Sequence, residues 1–103
     1  MAAEVNTRNT DTLMLAGDVT SENVVSLRTK GENVIRGMSS IGFIDLAGLG
    51  SANTITLSLL LGWLRFANRS NVSLTISQSQ GRLFDMARVS GLEMILPFES
   101  VDS

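Results

Sequence analysis

A chain of 103 residues with 44% hydrophobic content has material for one core and too little for two domains. It contains no Cys and no His, which removes disulfides, thiolate chemistry, the usual zinc ligands and the commonest general base near neutral pH. The formal net charge is −2 and the eight Lys and Arg are scattered, which argues against nucleic-acid binding and against direct attraction to anionic lipid.

Met1 to Asn9 lacks the basic and apolar regions of a secretory signal, and Glu4 to Arg8 reads as a first strand. Asn9-Thr10-Asp11 is turn-like, and Thr12 to Ala16 reads as a second strand ending at Gly17. Thr20 or Ser21 is a suitable cap for a helix carrying Val24, Leu27 and Val34-Ile35 and ending near Arg36-Gly37, although Gly31 interrupts it. Ile41 to Leu46 is an apolar run with one carboxylate, Asp45, as in a buried central strand.

Gly48-Leu49-Gly50-Ser51 is a loop. It opens like a dinucleotide-binding fingerprint, but Asn53 stands where the last glycine belongs, so nucleotide binding is not indicated. A helix is expected from about Asn53 to Asn68, roughly 24 Å long at 1.5 Å per residue. Its apolar stretch, Leu57 to Ala67, is interrupted by Arg65 and is too short to cross a membrane. Val72 to Ile76 alternates as a half-buried strand does, and a helix from about Gln80 to Ser90 stops at Gly91. Leu92 to Phe98 contains Pro97 and suits a short edge strand, leaving residues 99–103 as a mobile tail beyond a core of about 4–98. Strands and helices in alternation imply an α/β layered domain.

The 53–68 helix is the informative element. Leu57, Leu60, Leu61, Leu64 and Ala67 form an ordinary core stripe at helical spacing, yet Ile55, Leu59, Trp63 and Phe66 occupy the side that should be polar. Exposed Trp and Phe suit a partner interface. The alternative is that Trp63 and Phe66 pack under the Gln80–Ser90 helix or the C-terminal segment. At the helix start, Ser51, Asn53 and Thr54 are all able to cap, and Thr54 would sit among unbonded backbone N–H groups at the positive end of the dipole. Asp45 is expected to reach the surface of the 51–56 loop and to satisfy loop N–H groups there; Asp18 is expected to be structural. Arg82 and Arg88 fall near the second half of such a surface and read as solvated. No paired acids suggest an enzyme site.

Gly17-Asp18-Val19, Ile44-Asp45-Leu46, the run Asn53 to Leu61 and Val89-Ser90-Gly91-Leu92 together resemble, in order and spacing, the STAS-domain family. The resemblance spans roughly Leu13 to Leu96. It implies an α/β STAS fold: a four- or five-stranded mixed sheet with helices packed mainly on one face. Within the family, anti-sigma-factor antagonists usually carry Asp-Ser-Ser-Gly-Leu-Gly at this helix start, the first Ser being the phosphate acceptor. The matching positions here run from Asn53 to Ser58, so Thr54 keeps a hydroxyl while the acid before it and the glycine, now Thr56, are replaced.

The short length and Leu-rich helix make the chain more similar to the MlaB group of STAS domains. That likeness implies a non-catalytic cytoplasmic subunit without cofactor or metal. It would be bound to an MlaF-like ABC transporter ATPase and, through it, to the permease at the inner membrane, in a system that maintains outer-membrane lipid asymmetry. Partner-binding residues are then expected at Asn53, Thr54, Ile55, Thr56, Leu59, Trp63 and Phe66. The antagonist reading keeps Thr54 as a phosphate acceptor.

Overall fold

Two extended segments separated by Thr10-Asp11 form the first supersecondary unit. In a computed structural model describing residues 2–79, 81–92 and 94–99, β1 (Glu4–Asn9) and β2 (Thr12–Ala16) pair antiparallel. The Asp11 amide donates to Asn9 Oδ1 (2.8 Å), which tightens the turn. Next come α1 (Val24–Arg36), β3 (Ile41–Asp45), α2 (Thr54–Arg69), β4 (Ser73–Ser77) and α3 (Gly81–Val89).

The sheet order is β1-β2-β3-β4, with β2, β3 and β4 mutually parallel. Parallel neighbours require crossovers, and right-handed crossovers stepping in one direction place their helices on one face. α1 and α2 therefore lie side by side over the same side of the sheet. Leu13, Leu15, Ile44, Leu74 and Ile76 point towards them and are buried, while Ile41, Phe43 and Ser73 on the other face are exposed. The mixed sheet with helices on one face is the architecture expected of a STAS domain. A bridge between Ile76 and Phe98, with Ile76 N donating to the Pro97 carbonyl (2.8 Å), covers the outer edge of β4. Of the expected mobile tail, Glu99 donates its amide to the Ile76 carbonyl (2.7 Å); residues 100–103 lie outside the described residues.

Local signals explain most element ends. α3 stops at Gly91, whose φ of +74° is left-handed; Gly91 N reaches the Arg88 carbonyl (3.1 Å) and Leu92 N the Ala87 carbonyl (2.7 Å), the paired bonds of a Schellman cap. α2 ends the same way on Asn71 (φ +60°), with Val72 N bonded to the Ala67 carbonyl at 2.9 Å. At the start of α1 the cap differs from expectation. Thr20 Oγ1 accepts the Glu22 and Asn23 amides at 3.2 and 3.3 Å, which builds a preliminary turn, and Asn23 rather than Thr20 or Ser21 precedes the helix. Among the described residues no helix is long and apolar enough to cross a membrane.

Candidate functional site

The sequence singles out the start of α2, and the backbone there is firmly held. Asn53 is the cap: its backbone is extended (φ −150°, ψ 177°), and Oδ1 accepts the Thr56 amide at 2.9 Å and the Thr56 hydroxyl at 3.3 Å. The other end of the Asn53 amide group donates to the Val19 carbonyl at 3.0 Å, tying the β3–α2 loop to the β2–α1 loop. Truncating the cap in Asn53→Ala is expected to cost about 1 kcal/mol, more if the Val19 link is lost with it. Urea denaturation reads this as a lower midpoint at unchanged slope.

The same two loops are laced together again at Gly17-Asp18 and Gly50-Ser51. Gly50 N donates to the Gly17 carbonyl (2.7 Å) and Ser51 N to Asp18 Oδ1 (2.9 Å). A Cβ on Gly50 would overlap that Asp18 carboxylate, so the close approach depends on glycine. The bond from the Ser51 amide holds the Asp18 carboxyl below its ordinary value of 3.8. A depressed carboxyl stabilises the fold above its unfolded value, and that contribution disappears as pH falls through the folded one. Asp18→Asn should accordingly be less stable than the parent at neutral pH, with thermal melts converging below about pH 4.

On this platform the expected site residues separate into three groups. Thr54 is exposed at the first helical position, as a docking or acceptor hydroxyl requires. Asn53, Ile55 and Phe66 are half-buried; the Phe66 ring lies under the guanidiniums of Arg36 (5.3 Å) and Arg69 (5.8 Å). Thr56, Leu59 and Trp63 are buried, with Trp63 fully inaccessible, and these three do not form a partner surface.

Their burial has a clear physical cause. α2 packs on the sheet beneath and, most extensively, on α1 beside it, so Trp63 and Phe66 of its second apolar stripe meet α1 rather than a partner. The Trp63 indole lies against Gly31 of α1, where any Cβ would overlap the ring, and its Nε1–H donates to the Arg28 carbonyl at 3.1 Å. The true solvent stripe of α2 runs along Thr54, Ser58, Arg65, Asn68 and Arg69, with half-buried Leu61 among them.

Thr54 also borders a groove of about 650 Å³ formed with Gly81, Arg82, Asp85, Met86, Val89 and Ser90 of α3 and its end. Val89, noted in the sequence only within the Val89–Leu92 motif, forms the apolar part of this wall with half-buried Met86, a residue whose spacing suits the core. Val89 is 86% exposed, and an apolar residue one turn beyond Met86 on a short helix was the available signal. Arg82 lines the groove, whereas Arg88 faces Asp85 at 3.4 Å.

Asp45 does not join this surface. Ile44 points into the core, so Asp45 points to the opposite face of the sheet. There Oδ2 accepts from Arg8 of β1 at 2.5 Å and Oδ1 accepts the Ala47 amide at 2.8 Å. Its satisfaction of a loop N–H was expected; its place and its arginine were not.

The family model described as "Mlab, STAS domain" matches residues 2–97. The chain belongs to the MlaB STAS-domain family. Among curated proteins, none matches the chain significantly. Solved structures with the same fold include an anti-sigma factor antagonist from Mycobacterium paratuberculosis (TM-score 0.75, 12% identity, covering 97% of this chain and 86% of that one). A putative anti-sigma factor antagonist from Thermotoga maritima superposes with TM-score 0.73 at 11% identity, over 96% of this chain and 86% of that one. The anti-sigma factor antagonist SpoIIAA in its unphosphorylated form gives TM-score 0.70 at 16% identity, over 96% and 89% of the two chains. Identities this low establish shared fold alone. STAS domains are generally non-catalytic regulatory or interaction domains that act through protein–protein contacts.

Proposed function

We propose that this MlaB-family STAS domain is the non-catalytic accessory subunit of an ABC phospholipid transporter. It would bind the cytoplasmic ATPase subunit, and through it the permease, and support assembly and activity of the complex at the inner membrane. The observation that carries the reading is the match to the MlaB family model over residues 2–97. The start of α2 suits such docking, because Thr54 is exposed on a helix end immobilised by Asn53 and the Asp18–Ser51 bond, beside a mostly apolar α3 wall. A rigid hydroxyl flanked by an apolar groove lowers the ordering cost of docking. Asn53, Ile55 and Phe66 would border that contact, while Thr56, Leu59 and Trp63 would support it from inside.

Affinity purification from detergent-solubilised native membranes tests the proposal. Recovery of an ABC ATPase together with its permease is the expected result. Recovery of a serine kinase and an anti-sigma factor, with no transporter component, would overturn it.

The exposure of Thr54 favours one further reading, a phosphorylation-controlled anti-sigma-factor antagonist. A phosphate there would meet the positive end of α2 and add about −1.5 to −2 charge. Replacement of the usual preceding acid by Asn53 and of the glycine by Thr56 weighs against it. Intact mass spectrometry of protein isolated under several growth conditions separates the two, since only the antagonist reading requires a phosphorylated species.

A further inference from the structure

The exposed stripe of α2 is chemically polarised. Thr54, Ser58 and Leu61 occupy its first half, Arg65 and Arg69 its second, and α2 contains no Asp or Glu at all. At about 1.5 Å per residue, Arg65 stands roughly 16 Å and Arg69 roughly 22 Å along the axis from Thr54. Arg36, in the last turn of α1, comes to the same end: its guanidinium and that of Arg69 rest on the same Phe66 ring. The ion pairs among the described residues join Arg8 to Asp45, Arg28 to Glu32 and Arg88 to Asp85; Arg36, Arg65 and Arg69 have no carboxylate partner among them. Three cations thus gather at one end of the helical layer in a chain whose net charge is −2.

The helix dipole explains part of this. Arg36 and Arg69 each sit in the last turn of a helix, where a cation is locally favourable. It does not explain Arg65, more than a turn inside, nor the lack of acids along the whole exposed stripe. An anionic membrane is a poor fit for the patch. Phe66 is half-buried under the guanidiniums rather than projecting, and the rest of the chain is net acidic.

We infer that the protein surface receiving α2 is acidic where it meets Arg36, Arg65 and Arg69, so that this end steers association while the Thr54 end fixes the bound geometry. The inference rests on the docking role proposed above. Rim charges of this kind act mainly on the association rate and on its salt dependence, because each exposed pair adds little to the bound state.

Surface plasmon resonance against the purified ATPase subunit of the same organism's phospholipid transporter, at low and high salt, is the test. The triple variant Arg36→Gln, Arg65→Gln, Arg69→Gln should associate about tenfold more slowly at low salt and lose most of its salt dependence, with dissociation nearly unchanged. The corresponding triple Lys variant keeps the charge without the planar stacking on Phe66 and should associate like the parent. Circular dichroism melts of each variant confirm the fold. Parental association and salt slope in the Gln variant, while Thr54→Glu still abolishes binding, would overturn the inference and leave the docking role standing. Failure of the parent to bind at any salt would remove the docking role and this inference with it. Vesicles containing phosphatidylglycerol serve as the second probe: binding by the parent that the Gln variant loses would assign the patch to lipid and overturn the acidic protein surface.

Discussion

Trp63→Ala is expected to lower stability by about 3–5 kcal/mol, enough to unfold much of a domain whose total stability is typically about 5–15 kcal/mol. Three effects add. The largest buried side chain of the core is removed. The space beside Gly31 is left without atoms, because that position was emptied of side chain to admit the indole. The hydrogen bond from Nε1 to the Arg28 carbonyl is lost as well. Gly31→Ala approaches the same contact from the other side. In an exposed helix it would be stabilising by about 1 kcal/mol; here the new methyl meets the ring, and a net loss of about 1–3 kcal/mol is expected. Urea denaturation of both variants reads the effect. A Trp63→Ala cost below about 1 kcal/mol, typical of a surface aromatic, would refute the packing of α1 on α2.

Thr54→Glu is expected to abolish binding to the transporter ATPase with the domain still folded. A carboxylate near the positive end of α2 is favourable by a few tenths of a kcal/mol to about 1 kcal/mol, and the exposed position has room for it. Denaturation midpoints should therefore be unchanged or slightly raised. In the complex the same side chain would bring bulk and charge into the edge of the α3 groove, and if the receiving surface is acidic it would also meet like charge. A loss of at least a hundredfold in affinity, about 2.7 kcal/mol, is the expected scale for disrupting the centre of an interface. Titration calorimetry against the ATPase subunit measures it, with Ser73→Ala on the open face of the sheet as a folded control expected to bind like the parent.

Most of the framework could be read from residue patterns. Alternation in Val72–Ile76, the apolar run Ile41–Leu46 and the stop at Gly91 each have a local cause, and each corresponds to an element within a residue or so. Local rules narrow the cap of α2 to Ser51, Asn53 and Thr54 and do not choose among them. Asn53 wins because it also reaches Val19, more than thirty positions earlier, which no local rule contains. The direction of Trp63 is not legible from spacing. A second apolar stripe on α2 shows that something covers it, and periodicity does not say what. The decisive residue is Gly31, which reads locally as a weak helix position and is in fact the seat of the indole. Asp45 and Arg8 meet across the open face for a similar non-local reason, the alternation of β3 beside β2 and β1.

The accessory-subunit role is tested most directly by the ATPase rate of the purified transporter complex prepared without this chain. Adding the parent protein is expected to restore a rate that saturates at stoichiometric binding, and adding folded Thr54→Glu is expected to leave the rate at its basal value. A basal rate unmoved by the parent, or restored equally by Thr54→Glu, would contradict docking through the start of α2.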